Sequence, residues 1–135
     1  GIDPNQQDVD EGIERYGVNL EQGYIGDYEE DSFDVIMCFN TIEHVSRPDH
    51  LMEQMANRLK PNGALVVGTH DIECENYLGE GVNWKHIKPA EHLYYFSKDT
   101  IDLLGRKEIQ LDRSSISKHS LDFLTEPGKY LIAYL

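Results

Sequence analysis

The sequence predicts an α/β domain built on a mostly parallel sheet, and three stretches carry that prediction. Phe33-Asp34-Val35-Ile36-Met37-Cys38-Phe39 is nearly all apolar and does not alternate, as in a strand covered on both faces. Ala64-Leu65-Val66-Val67-Gly68-Thr69 repeats that pattern. Between them, Leu51, Met52, Met55, Ala56 and Leu59 form one apolar stripe, while Asp49, Glu53, Gln54 and Asn57 face the other way. Such a strand–helix–strand unit crosses over right-handedly and pairs its strands in parallel.

Before this unit, a first helix is expected over residues 6–16. Val9, Ile13 and Tyr16 recur at helical spacing, acidic residues crowd the start, and Gly17 suits a left-handed close. Gly23-Tyr24-Ile25 reads as a short strand ending at Gly26-Asp27. Pro48 fits the first turn of the central helix. That helix should stop at Lys60-Pro61-Asn62-Gly63, because Pro61 disfavours helix before it and Asn-Gly favours a turn. Residues 70–96 read as a long polar and aromatic loop, a length that is usually functional or mobile. Ser97 can cap a short helix through about Leu104, with Asp99 in its first turn. Strands near Ile109–Arg113 and at Tyr130–Tyr134, joined through Glu126-Pro127-Gly128, would close the sheet as an antiparallel hairpin.

The 135 residues make one domain, 1–135, with 39% hydrophobic and 27% charged residues. There is no apolar run long enough for a membrane span and no signal-peptide layout. The first residue is not Met, which fits a partial chain. The net charge of −13 is concentrated in residues 1–57, which hold 14 acidic and 2 basic side chains. Affinity for nucleic acid comes mostly from Lys and Arg neutralising phosphates, so such a partner is disfavoured. Cys38 and Cys74 lie far apart, which points to a reducing, cytoplasmic setting. The six histidines are scattered in sequence, so no metal site is expected.

In an open α/β sheet, ligands bind beyond the carboxyl ends of the strands. Those ends are Asp3, Asp27, Asn40 to His44, and Thr69 to Asp71. The successive motifs Gly1-Ile2-Asp3-Pro4, Gly26-Asp27-Tyr28, Ser32-Phe33-Asp34-Val35-Ile36, Ile42-Glu43-His44-Val45 and Arg58-Leu59-Lys60-Pro61-Asn62-Gly63 stand in an order that resembles the class I S-adenosylmethionine-dependent methyltransferase family. Within it, the small-molecule group that includes quinone-biosynthesis O-methyltransferases is the most similar subset. Glu91-His92-Leu93-Tyr94-Tyr95-Phe96-Ser97 is similar to a segment of that subset.

The resemblance implies a Rossmann-like methyltransferase fold, S-adenosyl-L-methionine as cofactor and a small-molecule acceptor. It assigns Asp3 to the cofactor's ribose hydroxyls, Asp27 to the adenine amino group, Tyr28 to the adenine face and Asn40 to the methionine portion. His44 would be the catalytic base for a hydroxyl acceptor, since an imidazole titrates near neutral pH. Trp84, His92 and Tyr95 would wall the acceptor pocket. Each has a plainer alternative: a helix cap for Asp3, turn residues for Asp27 and Asn40, packing for Tyr28 and the three pocket residues, and a structural partner of Glu43 for His44. The sequence departs from the family in one respect. The first strand and its glycine-rich turn, expected before Gly1, have no counterpart, since Gly12, Gly17, Gly23 and Gly26 do not form G-x-G-x-x-G after a strand. The missing strand belongs in the middle of the sheet, so residues 1–27 should lack a neighbour, and this chain should bind the cofactor poorly. A non-catalytic, degenerate binding or scaffold module is the alternative.

Overall fold

The computed structural model describes residues 1–109, 116–117 and 130–134. The N-terminal part is a strand β1 (Ile2–Asp3), a helix α1 (Gln6–Tyr16) and a strand β2 (Glu21–Gln22). Helix α1 starts where Asn5 accepts from the Gln7 amide and ends at Gly17, whose φ of 62° is the left-handed close expected. β1 and β2 pair in parallel as a separate two-stranded sheet. The strand expected at Gly23-Tyr24-Ile25 is corrected: β2 lies earlier, and Ile25–Asp27 winds into a 3-10 turn. The Asp27 carboxylate accepts from the Tyr24 amide at 2.7 Å, a local bond that competes with extended backbone.

Strand β3 (Phe33–Phe39), helix α2 (Pro48–Arg58) and strand β4 (Leu59–His70) form the strand–helix–strand unit. β3 and β4 pair in parallel, from Val35 opposite Ala64 to Phe39 opposite Gly68. Pro48 stands in the first turn of α2, where its missing N–H costs nothing. The turn expected at 60–63 becomes a bulge inside β4: Phe33 pairs with Leu59 and Val35 with Ala64, so four residues oppose one. Asn62 has φ 66°, and a Cβ on Gly63 would meet the Lys60 carbonyl oxygen at 2.9 Å. Asn62-Gly63 makes a turn, as the dipeptide favours, but strand pairing resumes on its far side.

Beyond β4, the expected loop is partly helical, a second correction. Helix α3 (Glu75–Glu80) is opened by the Cys74 sulfur, which accepts from the Tyr77 amide, and a 3-10 turn Gly81–Asn83 follows. Helix α4 (Lys98–Ile109) starts at Ser97, whose hydroxyl accepts from the Thr100 amide, and runs past Leu104. Ile109 is therefore helical, not the start of a strand; residues 110–113 and the turn at 126–128 lie outside the described residues. The antiparallel closure stands: β5 (Ile116–Ser117) pairs with β6 (Tyr130–Tyr134), which pairs with β4.

The core joins Ile42, Met52, Met55, Leu65, Val67, Phe96 and Ile101 between the sheet and helices α2 and α4. Burying each such side chain stabilises by about 1.5–3 kcal/mol. The four-stranded sheet runs β3-β4-β6-β5, which makes β3 an edge strand among the described residues. Val35 and Met37 are accordingly 54% and 69% exposed, so the expected two-sided cover of this strand is absent. Between β3 and the β1–β2 pair lies an open cleft of about 620 Å³. The sheet is split where the sequence placed the missing strand. No helix of the described residues is long and apolar enough to cross a membrane.

Candidate functional site

Two neighbouring sites share the expected residues. The first is the cleft, walled by Phe33, Val35, Met37 and Phe39 on one side and by Ile2, Asp3 and Leu20 on the other, with Tyr24 and Tyr28 also lining it. Asp3 ends β1, and its Oδ1 accepts from the Asn5 amide at 2.8 Å. A carboxylate has about four acceptor positions, so it keeps capacity for a ligand hydroxyl. Tyr28 donates its hydroxyl to Glu21 and packs edge-on against Phe33. That hydrogen bond to a carboxylate pushes the phenol up to about 12, so it stays protonated. Asp27 does not line the cleft; its carboxylate closes the 3-10 turn instead. Arg58 holds this turn to α2, donating to the Gly26 carbonyl at 3.0 Å and the Tyr28 carbonyl at 3.2 Å.

The second site lies beyond the carboxyl ends of β3 and β4. Asn40 ends β3 with φ 49°, a left-handed conformation that asparagine tolerates, and turns the chain toward Thr41–His44. Glu43 is buried, at 2% exposure. Its Oε2 accepts from the Thr69 hydroxyl at 2.9 Å, and its Oε1 faces His70 Nδ1 at 3.5 Å. Burial pushes the Glu43 carboxyl up, but His70, the backbone and Thr69 together outweigh it and hold the group below its ordinary value.

His44 is exposed and is hydrogen-bonded to the Glu91 carbonyl oxygen through Nδ1 at 2.8 Å, not to Glu43. The amides of Leu93 and Tyr94 donate to the Glu43 carbonyl, which draws residues 91–94 alongside this turn. His92 is thereby buried, its ring edge-on to His44 with centroids 4.7 Å apart. Burial, then the neighbouring His44, lowers its pKa, which favours the neutral imidazole. Trp84 is buried against Tyr77, His70 and His86, and the Tyr95 ring lies near His92 while its hydroxyl accepts from the Lys88 amide. Trp84, His92 and Tyr95 are thus brought into one aromatic cluster, with Trp84 inside it and not on an open wall.

Glu43, Thr69 and His70, all within the strand ends expected to face a ligand, form a polar centre to which the sequence assigns no role. The available signal was a glutamate following Ile42 immediately after a buried strand, where only a partnered carboxylate can stay charged. Histidines scattered in sequence are nevertheless brought together in space. One donor atom each from Glu43, His44 and His92 lies within 4.8 Å of the others, because tertiary pairing joins segments far apart in sequence.

Both sites lie where open α/β sheets bind their ligands, beyond the carboxyl ends of the strands. Residues 1–108 match the family model of a methyltransferase domain, and the chain belongs to that family. Its Rossmann-like methyltransferase fold is shared with several solved structures. An S-adenosylmethionine-dependent methyltransferase of Thermotoga maritima superposes with a TM-score of 0.70 at 20% identity, covering 99% of this chain and 70% of that one. One from Archaeoglobus fulgidus gives 0.66 at 15%, covering 100% and 75%. One from Mesorhizobium loti gives 0.66 at 14%, covering 99% and 77%. No curated protein matches the sequence.

Proposed function

We propose that this chain is the greater part of a catalytic domain that transfers a methyl group to a small-molecule acceptor. The cofactor of the family is S-adenosyl-L-methionine, whose sulfonium supplies an electrophilic methyl group. The observation that carries the reading is Asp3 at the end of β1, lining a cleft of about 620 Å³ opposite the free edge of β3. That volume is within the usual range for ligand clefts. Its residues fit the adenosine end: Asp3 offers acceptors to the ribose hydroxyls, and Tyr28 and Phe33 offer ring surface to the adenine. Asp27, which closes the 3-10 turn outside the cleft, is left without a part in this binding.

The protein's contribution is alignment in a dry crevice, where orientation alone is worth several kcal/mol of barrier, roughly 7–11 at best. Asn40, immediately after β3, is the residue assigned to the methionine portion of the cofactor. His44 is the group that takes a proton from a hydroxyl acceptor: a carbonyl oxygen only accepts, so its Nδ1 carries the hydrogen and Nε2 the basic lone pair. Trp84, His92 and Tyr95 shape the acceptor side. The free Cys38 and Cys74 favour a reducing, cytoplasmic setting, and the charge of −13 argues against a nucleic-acid acceptor.

The split sheet favours a second reading, a degenerate domain that binds a partner without catalysis. Calorimetric titration separates the two. The 135-residue chain should bind S-adenosylmethionine weakly, because the methionine end lacks a glycine-rich turn. The chain extended upstream through its own coding sequence should bind at micromolar concentration and transfer methyl groups. Micromolar binding by the 135-residue chain contradicts the account of the cleft. No binding by the extended chain leaves the scaffold reading.

A further inference from the structure

Four of the imidazoles lie in one chain of rings. His44 stands edge-on to His92 with centroids 4.7 Å apart, His92 stacks on His70 at 5.8 Å, and His70 lies 3.9 Å from His86. The chain of rings crosses three segments: the turn after β3, the end of β4, and residues 84–95, which carry His86 and His92. His92 is its buried link, at 6% exposure. Its ring donates to the His86 carbonyl and is flanked by Tyr95 at 5.8 Å. We propose that His92 is an acid-operated latch. As a neutral ring it seats residues 84–95 against the turn after β3 and the end of β4, and once protonated it leaves that seat and frees the segment.

The seat suits a neutral ring and not a cation. A proton on His92 would face His44 on one side and His70 on the other, each able to take a proton of its own. Glu43 is the carboxylate beside them, and it is already engaged. Its Oε2 accepts from the Thr69 hydroxyl at 2.9 Å, and its Oε1 faces His70 Nδ1 at 3.5 Å. Of the other charged groups nearby, Asp71 Oδ1 accepts from the Glu73 amide, Lys88 Nζ pairs with Glu91 at 3.0 Å, and Lys85 is exposed. A buried charge is costly unless it is paired. Burial first, then the neighbouring His44, accordingly hold the His92 pKa below its ordinary value.

The bonds that break when the segment lifts are those to the turn. The Leu93 and Tyr94 amides donate to the Glu43 carbonyl at 2.8 and 3.2 Å, and the Tyr94 hydroxyl donates to the Ser46 carbonyl at 3.1 Å. At the other end of the segment, Trp84 is buried against His70 and His86. The open form takes its proton at the ordinary imidazole value, and the closed form takes it only at lower pH. Closure is therefore at full strength above about pH 6.5 and weakens as the pH falls, by up to about tenfold per pH unit for one proton. A segment held by packing alone has no such dependence. On the methyl-transfer reading the freed segment is the acceptor wall, so acid opens the acceptor side. The latch itself does not depend on that reading.

Trp84 is the single tryptophan of the chain, so its fluorescence reports this segment alone. In the 135-residue chain, between pH 7.5 and pH 5, Trp84 emission should move to the red and quenching by acrylamide should rise, with the far-ultraviolet circular dichroism retained. Over the same range, protection of the Leu93 and Tyr94 amides against hydrogen exchange, corrected for the intrinsic rate, should fall by about tenfold per pH unit below pH 6.5. Protection of the β4 amides should hold. His92→Phe keeps a ring that takes no proton, and Trp84 should then stay shielded throughout. His50→Ala, at an exposed histidine on α2 outside the chain of rings, should leave the transition in place. The proposal is overturned by a Trp84 that stays shielded down to pH 5, or by unchanged protection at Leu93 and Tyr94. It is equally overturned by an unaltered transition in His92→Phe, or by Trp84 exposure that coincides with loss of the circular dichroism. The exchange measurement uses the unaltered chain, so it decides the matter even where His92→Phe fails to fold. None of these readouts needs the cofactor, so failure here is distinct from failure of methyl transfer.

Discussion

The segment from Phe33 to His70 and the segment from Gly1 to Tyr28 both set strands beside a helix, yet they are held together differently. The first pairs two long strands in parallel and closes α2 over Ile42, Met52, Met55, Leu65 and Val67. The second pairs two strands of two residues each, and Val9 is the one fully buried side chain of α1. Its order comes from local hydrogen bonds: Asn5 capping α1, Gly17 closing it and Asp27 closing a 3-10 turn. Each such bond is worth about 1 kcal/mol net. A split sheet thus leaves one half stabilised by burial and the other by caps, with the proposed adenosine cleft between them.

The largest expected effect separates the two halves directly. Leu65→Ala removes a side chain with no exposed surface and should cost about 3 kcal/mol through lost transfer energy and the cavity left behind. Ile13→Ala, at a side chain 46% exposed on α1, should cost no more than ~0.5 kcal/mol. Urea unfolding followed by circular dichroism reads both. Equal losses would mean that the N-terminal unit is as deeply integrated as the core.

Next in size is the bulge that lets β4 resume its pairing. A Cβ on Gly63 would meet the backbone oxygens of Lys60 at 2.9 Å and Asp34 at 3.1 Å, neither of which can swing aside. Gly63→Ala should therefore cost about 1–3 kcal/mol. A neutral result would show that the bulge opens freely.

Arg58 is the joint between the halves, reaching from the end of α2 to the carbonyls of Gly26 and Tyr28. Arg58→Met keeps much of the aliphatic stem and removes these bonds, at a cost of about 1–2 kcal/mol. Amide hydrogen exchange sharpens the comparison: residues 24–28 should exchange faster in the variant while β4 stays protected. Unchanged exchange at 24–28 would show that packing, not Arg58, holds the turn.

The legibility of the chain follows the same divide. The 33–39 and 64–69 strands, the helix between them and the helix at 6–16 were readable because periodicity, Pro48 and Gly17 act over a few residues. The gap in the sheet was readable too, as a motif with nothing to fill it. The strand at 23–25 was misplaced because an aspartate bond three residues long outweighed β propensity. The helix at 75–80 escaped because its cap is a cysteine sulfur, a weak acceptor that no capping pattern flags. Asp3 could be assigned to the cleft from its strand end, whereas Asp27 could not, since its carboxylate turns back on Tyr24. The centre around Glu43 required knowing that residues 91–94 pair with the turn after β3. That information is tertiary, and spacing along the chain does not hold it.

The smallest effect concerns Cys38, which sits on β3 beside the cleft and tests how dry that wall is. Burial, partly offset by a hydrogen bond with Thr41, pushes its thiol up to about 11 from an ordinary 9. Alkylation requires the thiolate, so at pH 8 the rate should be about 100-fold below that of an unperturbed thiol, rising only as the pH nears 11. The sign for stability follows: the folded state holds this proton more tightly, so its contribution is intact below pH 9 and is lost as the pH climbs through 11. A Cys74→Ser background isolates the signal, since serine can replace the sulfur that caps α3. Iodoacetamide labelling followed by mass spectrometry across pH 7–11, with a urea-unfolded control, gives the profile. If Cys38 in the folded chain labels at pH 8 as fast as in the unfolded control, the cleft wall is wet and β3 opens as readily as the N-terminal unit.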